Sequence, residues 1–187
     1  MKNILPPLDR SRCGLMVIDV QDCLIPSIDR GCEIVQSIAK AIKGCEILGL
    51  PIVVTEQYPK GLGPTTMGVR MAFANGMPEP LIKTTFSCLG DKAIHDHVLA
   101  LPVEQWILVG LEAHICVLQT AKDLARAGRQ VTVLNDAITS RSVFDFSTAI
   151  AELRDAGIRV TCTEALLFEL VNDSKSPEFR AISQLVK

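Results

Sequence analysis

Three residues with side chains suited to nucleophilic catalysis follow apolar runs typical of buried strands. Cys116 lies between the apolar run 105–110 and a stretch with helical spacing of apolar residues. Unsatisfied N–H groups and the positive end of a helix dipole favour an anion there, so a thiol is biased toward the nucleophilic thiolate. Free cysteine is also among the most buried residue types, so packing of the helix against a sheet explains the position equally well.

Asp19 and Lys83 occupy comparable positions. Asp19 closes the run Leu-Met-Val-Ile, and Lys83 follows Leu-Ile. Taken singly, an aspartate at a strand end is often a turn cap, and a lysine after a short apolar run is usually solvated. Together with Cys116 they supply a carboxylate that can accept the thiol proton and an ammonium that stabilises both anions. The three residues therefore make a complete nucleophilic set if the fold brings them together.

Short β-branched runs alternate with helical segments along the chain. Strands are predicted at 13–19, 51–56, 81–84, 105–110, 130–135 and 158–162, and helices at 33–48, 92–101, 115–127, 146–156, 164–171 and 177–186. Because right-handed crossovers place helices over both faces of a sheet, the alternation predicts an α/β fold with a mostly parallel sheet. Such folds bind ligands at the carboxyl ends of the strands, so Asp19, Lys83 and Cys116 should converge on one edge.

The composition is typical of a globular enzyme. The chain has 187 residues, 48% of them hydrophobic and 21% charged, which predicts a single domain over residues 1–187. The formal charge of −2 and the lack of a basic run make nucleic acid an unexpected partner and favour a small-molecule substrate. No signal-like N-terminus and no apolar run of about 18 residues occurs, so we expect a cytoplasmic protein without membrane contact.

Neither the cysteines nor the histidines form a metal pattern. The seven cysteines are scattered without a Cys-x-x-Cys pair, which favours reduced thiols. His95 and His97 are two residues apart, which points them to different faces of a helix, and His114 stands alone. We therefore expect no metal and no cofactor. His114 is also not expected to form a dyad with Cys116, because the histidine of such dyads comes from distant sequence.

Four segments, in this order, resemble the isochorismatase-like cysteine hydrolase superfamily, and most closely its isochorismatase-domain-containing branch. They are Leu-Met-Val-Ile-Asp19-Val-Gln21, Glu56-Gln-Tyr58-Pro-Lys-Gly-Leu-Gly-Pro, Lys83-Thr-Thr-Phe86-Ser and Val-Gly110-Leu-Glu112-Ala-His114-Ile-Cys116. The resemblance implies a three-layer Rossmann-like fold whose six-stranded, mostly parallel sheet carries helices on both faces. It also implies a catalytic triad of Asp19, Lys83 and Cys116.

The roles implied by this resemblance follow ordinary acid–base chemistry. Asp19 would take the thiol proton and later return it to a leaving amine or alcohol, while Lys83 would hold the ion pair and lower the thiol pKa. A cis peptide bond is implied at Leu111–Glu112, together with an oxyanion hole formed by the backbone N–H groups of Glu112 and Cys116. Gly110 suits a close backbone approach at this point.

Two departures from relatives narrow the activity. The stretch 55–65 contains no histidine, whereas nicotinamidases of the superfamily carry a histidine metal cluster there, so nicotinamidase activity is disfavoured. Isochorismate cleavage can proceed without a cysteine nucleophile, so the complete triad favours amide or ester hydrolysis instead. By motif proximity we expect Gln21, Tyr58 and Phe86 to bind substrate, and the glycine-rich stretch 58–80 is a candidate lid.

Two other classes of function remain open from the sequence. One is a catalytically silent protein that binds a small molecule or serves as an oligomeric scaffold. The other is a thiol redox sensor in which Cys116 pairs with Cys88 or Cys23, which requires Cα atoms within about 7 Å. The resemblance also implies a homo-oligomer, for which the apolar segment 165–171 is a candidate interface, although ordinary core packing explains that segment as well.

Overall fold

A six-stranded parallel sheet forms the centre of the fold in the computed structural model, which describes residues 6–28 and 30–187. Its strands are β1 (Cys13–Ile18), β2 (Ile52–Gln57), β3 (Leu81–Lys83), β4 (Gln105–Leu111), β5 (Gln130–Thr139) and β6 (Arg159–Thr161). They lie in the order β3-β2-β1-β4-β5-β6, and every neighbouring pair is parallel. The strand order reverses between β1 and β4, which is where such sheets open a crevice for ligands.

Helices cover both faces of the sheet within the described ranges. They are α1 (Gly31–Ile47), α2 (Pro59–Leu62), α3 (Met67–Arg70), α4 (Lys92–Ala100), α5 (Leu118–Arg126), α6 (Val143–Asp155), α7 (Thr163–Val171) and α8 (Phe179–Val186). Side chains of β1 alternate between the two sides, as a strand requires, so Leu15 and Val17 pack with α1, α7 and α8. Met16 and Ile18 pack with α4, α5 and α6 on the other side. The predicted α/β fold with helices on both faces is confirmed.

Some helices begin at residues other than the predicted ones. α6 begins at Val143, three residues earlier than expected, because the Ser142 hydroxyl caps the helix by accepting a hydrogen bond from the Phe144 N–H. The helical segment after β4 begins with a π turn, Ala113–Val117, and continues as α5. Asp91 caps α4 in the same way as Ser142 caps α6.

The apolar segment 165–171 forms most of α7 and packs inside the protein. Leu166 and Leu167 are fully buried, and Leu170 and Val171 are nearly so. A Cβ placed on Gly44 of α1 would lie 2.5 Å from the Leu167 side chain, so the two helices are in close contact there. Core packing therefore explains the four buried side chains of this segment, and an oligomer interface formed by the rest of it stays a prediction. Within the described residues, no helix has the length and apolarity needed to span a membrane.

Candidate active site

Asp19 and Lys83 form a buried ion pair at the carboxyl edge of the sheet. Asp19 directly follows β1, and Lys83 is the last residue of β3, two strands away. The Lys83 ammonium lies 2.6 Å from Asp19 Oδ2, and the two side chains are 0% and 1% exposed. Removing either residue would leave the other as an unpaired buried charge, which is strongly unfavourable.

Neighbouring groups complete the hydrogen bonding of this pair. The Thr55 hydroxyl donates to Asp19 Oδ1 at 2.8 Å. The Lys83 ammonium donates to Gln57 Oε1 at 2.7 Å and lies within 3.2 Å of the Thr85 and Phe86 carbonyl oxygens. With Asp19 included, four acceptors surround an ammonium that has only three N–H groups. Lys83 therefore has no donor left for a bound ligand.

Cys116 lies in the π turn after β4 and faces the same carboxylate. It is 7% exposed, and it lines the same cavity as Asp19. Burial raises the pKa of the thiol, the negative charge and hydrogen bond of Asp19 raise it further, and the positive charge of Lys83 only partly opposes them. The resting group is a thiol rather than a thiolate. Lys83 lowers the pKa as expected, but the net shift is upward because burial and the adjacent carboxylate outweigh the ammonium.

The pKa of Lys83 moves in the direction that keeps it charged. Burial lowers the pKa, and the negative charge and hydrogen bond of Asp19 raise it, so that the balance lies above the ordinary lysine value. The resting site thus contains an ammonium, a carboxylate and a neutral thiol, with a single proton between the carboxylate and the sulfur.

A cavity of about 100 Å³ opens on the thiol and the carboxylate at the switch between β1 and β4. The residues that line it are Asp19, Leu24, Gln57, Leu62, Phe86, Leu111, Glu112, Ile115 and Cys116. The volume suits a small molecule only. A larger cavity of about 500 Å³ lies near the start of α1 and the end of β5, but it contacts neither the thiol nor the ion pair.

Two of the three expected substrate-binding residues do not line the cavity. Gln21 is fully buried, and its amide donates to the carbonyl oxygens of Gln57 and Gly63 at 3.0 and 2.6 Å while accepting from the Gln57 N–H. Tyr58 is 54% exposed and its ring lies against Gly61. Phe86 does line the cavity. Gln21 holds β2 to the segment after it, and Tyr58 lies outside the cavity, so a substrate contact by either residue stays a prediction.

The stretch 58–80 is tied to the sheet at several points. Thr65 donates from its N–H and its hydroxyl to Glu56 Oε1, both at 2.7 Å, and pairs with Gln21 in an isolated bridge. The Thr66 N–H donates to the Val20 carbonyl at 2.8 Å. Leu62 of α2 lines the cavity. This part of the stretch is therefore a fixed wall of the site.

The backbone between β4 and Cys116 approaches β1 closely. Gly110 has φ of +126°, and a Cβ at this position would lie 2.0 Å from the Ile18 carbonyl oxygen, so no other residue fits. The Leu111–Glu112 peptide bond is cis. The Glu112 carboxylate turns away to accept hydrogen bonds from the backbone N–H and the guanidinium of Arg141, both at 3.1 Å.

Other reactive side chains stay outside the site. His114 Nδ1 lies 2.9 Å from the Ser140 hydroxyl rather than forming a dyad with Cys116. All seven cysteines are free, and Cys88 is buried with its sulfur 3.8 Å from the Thr55 hydroxyl. Over residues 6–28 and 30–187, no cluster of three or more His, Cys, Asp or Glu side chains is placed to hold a metal ion.

Some of the lining residues were not predicted. Gln57 ends β2, so the rule that singled out Asp19 and Lys83, a polar residue at the carboxyl end of a strand, would also have found it. Leu24, Leu62 and Ile115 come from turns and short helices. Their apolar side chains resemble those of any core residue, so the sequence carries no signal for them.

Comparisons with known proteins agree with this architecture. The isochorismatase domain family model matches residues 13–165. Isochorismatase domain-containing protein 2 from Danio rerio is 37% identical over 172 residues, covering 92% of this chain and 85% of the relative. Isochorismatase domain-containing protein 1 from Salmo salar is 36% identical, covering 90% of this chain and 59% of the relative.

Solved structures give the same result. The structure of MAR1 ribonuclease from Caenorhabditis elegans superposes with a TM-score of 0.89 at 35% identity, covering 97% of this chain and 92% of the other. The Escherichia coli YcaC gene product, described as an octameric hydrolase of unknown specificity, has a TM-score of 0.88 at 17% identity, covering 98% and 91%, and so shows the shared fold. The chain belongs to the isochorismatase domain family.

Proposed function

We propose that this protein is a cysteine-dependent hydrolase of a small amide, ester or related carbonyl compound. Asp19, Lys83 and Cys116 are its catalytic residues. The proposal rests on one observation: the Cys116 thiol and Asp19, whose carboxylate is paired with Lys83, both line a small cavity. Membership of a family of hydrolases supports it. These groups form a nucleophile, a base and a group that fixes the charge of the base.

Catalysis begins from the neutral thiol. When a carbonyl carbon reaches Cys116 Sγ, the Asp19 carboxylate takes the thiol proton as the sulfur–carbon bond forms. Asp19 then gives this proton to the leaving nitrogen or oxygen as the bond to the carbonyl carbon breaks, which leaves a thioester on Cys116. Water attacks the thioester with Asp19 again as base, and the carboxylic acid leaves as the thiol reforms. The raised thiol pKa means that proton transfer accompanies attack.

Lys83 supports the proton transfer without contacting the substrate. Its positive charge stabilises the carboxylate of Asp19 and the sulfur anion as either forms. Thr55 and Gln57 fix the two ends of the pair through their hydrogen bonds. We further propose that the backbone N–H groups of Glu112 and Cys116 bind the oxyanion, a contribution typically worth about 10²–10³-fold in rate per donor.

Neither a redox sensor nor a catalytically silent scaffold explains the site as well as a hydrolase does. A redox sensor needs a thiolate, whereas burial raises the pKa of Cys88 to about 11 and raises that of Cys116 as well. A silent scaffold gains little from a buried ion pair, since apolar residues of similar volume are often at least as stabilising. A buried ion pair beside a thiol therefore favours turnover over a purely structural role.

The direct test is a hydrolysis screen with purified protein and the variant Cys116→Ala. The panel contains small primary amides, esters and ureides, together with a short RNA because the Caenorhabditis elegans relative is named a ribonuclease. We expect Cys116-dependent release of ammonia or alcohol, and an acyl adduct on Cys116 in the mass spectrum after rapid acid quench. Turnover that Cys116→Ala leaves intact, or cleavage of RNA alone, would contradict the proposal.

A further inference from the structure

We infer that the substrate is uncharged and carries a short apolar acyl group. This inference rests on the proposed function, because it names the substrate class of the same site. Three properties of the site support it. The lining contains no Lys, Arg or His, the carboxylates of Asp19 and Glu112 are already paired, and the rest of the lining is apolar and encloses a small volume.

An anionic substrate finds no cation among the described residues that line the cavity. Among the described residues that line it there is no Lys, Arg or His, while Asp19 contributes a carboxylate. Lys83 lies behind Asp19 with a fully buried side chain, and four acceptors already surround its ammonium. A substrate carboxylate would lose its water next to the like charge of Asp19, which is strongly unfavourable.

A cationic substrate gains little either. The charge of Asp19 is matched by Lys83 at 2.6 Å, and that of Glu112 by the Arg141 guanidinium at 3.1 Å. A bound ammonium would therefore have to compete with residues already paired to these carboxylates. Both signs of substrate charge are disfavoured, and a neutral molecule remains.

The remaining wall is apolar. Its side chains are those of Leu24, Leu62, Phe86, Leu111 and Ile115. Leu111 is fully buried, whereas Phe86 is 55% exposed and lies on the solvent side of the cavity. A wall of this kind favours aliphatic groups, with each methylene worth roughly 10-fold or more in kcat/KM until the cavity is full. With about 100 Å³ available, the acyl group is limited to a short, branched or linear chain.

Three primary amides with equal numbers of non-hydrogen atoms test the charge and polarity separately. They are 3-methylbutanamide, which is apolar, malonamide, which is neutral and polar, and malonamate, which is anionic. We expect kcat/KM for 3-methylbutanamide to exceed that for malonamate by at least about 100-fold, with malonamide between them. The corresponding methyl esters are assayed in parallel, so that the result does not depend on the leaving group.

A charge-reversal variant tests the cause of the preference. Leu62 is half-buried on the short helix α2, so a lysine there can reach the cavity while its ammonium stays partly hydrated. Leu62→Lys should shift the ratio of malonamate to 3-methylbutanamide turnover at least about 10-fold toward malonamate. Leu62→Met has a similar length without the charge and should keep the wild-type ratio.

The outcomes separate this inference from the proposed function. Cys116-dependent turnover that favours malonamate would overturn the substrate class and leave the hydrolase proposal standing. If no compound is turned over in a Cys116-dependent way, the hydrolase proposal fails. The preferred class of ligand is then determined from the binding of the same amides to Cys116→Ala, measured by saturation-transfer NMR. Tighter binding of 3-methylbutanamide than of malonamate supports a neutral, apolar ligand, and equal or weaker binding overturns it.

Discussion

Replacement of Asp19 by asparagine separates three effects that the structure places on one carboxylate. The substitution keeps the size of the side chain but removes the charge opposite Lys83. The ammonium then retains only neutral acceptors, namely Gln57 Oε1 and two carbonyl oxygens. Breaking a fully buried pair in this way destabilises a protein by about 3–5 kcal/mol. At about 2–4 °C per kcal/mol for a chain of this size, Tm should fall by roughly 6–20 °C.

The same substitution should also lower the pKa of the Cys116 thiol. Asp19 raises the pKa of Cys116 through its charge and its hydrogen bond, whereas Lys83 lowers it. Asp19→Asn removes the raising contributions of this residue and leaves that of Lys83, so the thiol pKa falls and the thiolate fraction rises. Turnover should nevertheless fall by about 10²–10⁴-fold, because the proton shuttle is lost. A more reactive sulfur with lower turnover identifies Asp19 as the acid–base group.

The alkylation assay needs a protein in which no exposed cysteine competes with Cys116 for the reagent. Cys23 and Cys32 are exposed and would react first with iodoacetamide, so both are changed to serine. Alkylation of Cys116 is then followed by peptide mass spectrometry at pH 7.5, next to thermal unfolding and hydrolysis. Asp96→Asn is the matched control, because it breaks a solvent-exposed pair with Lys92 that is expected to contribute little to stability. Wild-type turnover, or slower alkylation, in Asp19→Asn would refute this reasoning.

Further perturbations test the surroundings of the site. Gly110→Ala should prevent stable folding or lower Tm by more than about 10 °C, since its Cβ would meet the Ile18 carbonyl at 2.0 Å, and thermal unfolding decides this. Gln57→Leu should lower kcat more than it raises KM, because it removes one acceptor from Lys83 outside the reacting atoms; an unchanged kcat argues against a positioning role. Burial raises the pKa of four thiols: Cys13, Cys45, Cys88 and Cys116. The folded chain keeps these protons while the unfolded chain releases them, so the free energy of unfolding should fall above about pH 8.5, by roughly 1 kcal/mol per thiol at pH 9.5. Urea titrations at pH 7.5 and 9.5 measure this, and a flat profile contradicts it. The homo-oligomer implied by family resemblance stays a prediction, and sedimentation should give a multiple of 20.3 kDa.

The order and kind of the strands and long helices could be predicted from the sequence because both follow local periodicity. All six strands were located within a few residues, except that β5 runs on to Thr139. Its register with β4 shifts between Leu108 and Gly110, which lets the strand continue past the polar pair Asn135-Asp136. Such an irregularity depends on the neighbouring strand. Strand periodicity within one segment therefore could not predict it.

The three candidate catalytic residues were also accessible from sequence, because parallel strands bring their carboxyl ends to one edge. Asp19 and Lys83 end strands, and Cys116 follows one by a single turn. The pocket wall was accessible only in part. Phe86 and Glu112 were expected and line it, whereas Gln21 points into the protein to hold Gln57 and Gly63. Motif proximity locates a residue near a site without showing which way its side chain points.

The state of the sulfur is the point at which local reasoning fails most clearly. A cysteine near the start of a helix and near a lysine suggests a thiolate when only those two contributions are counted. In the folded chain, burial is the larger effect, and the carboxylate that neutralises Lys83 also faces the sulfur. Lys83 therefore acts mainly on Asp19 and only secondarily on Cys116. The consequence is a nucleophile that stays protonated until a carbonyl carbon arrives, which ties its activation to substrate binding and limits its reaction with unrelated electrophiles.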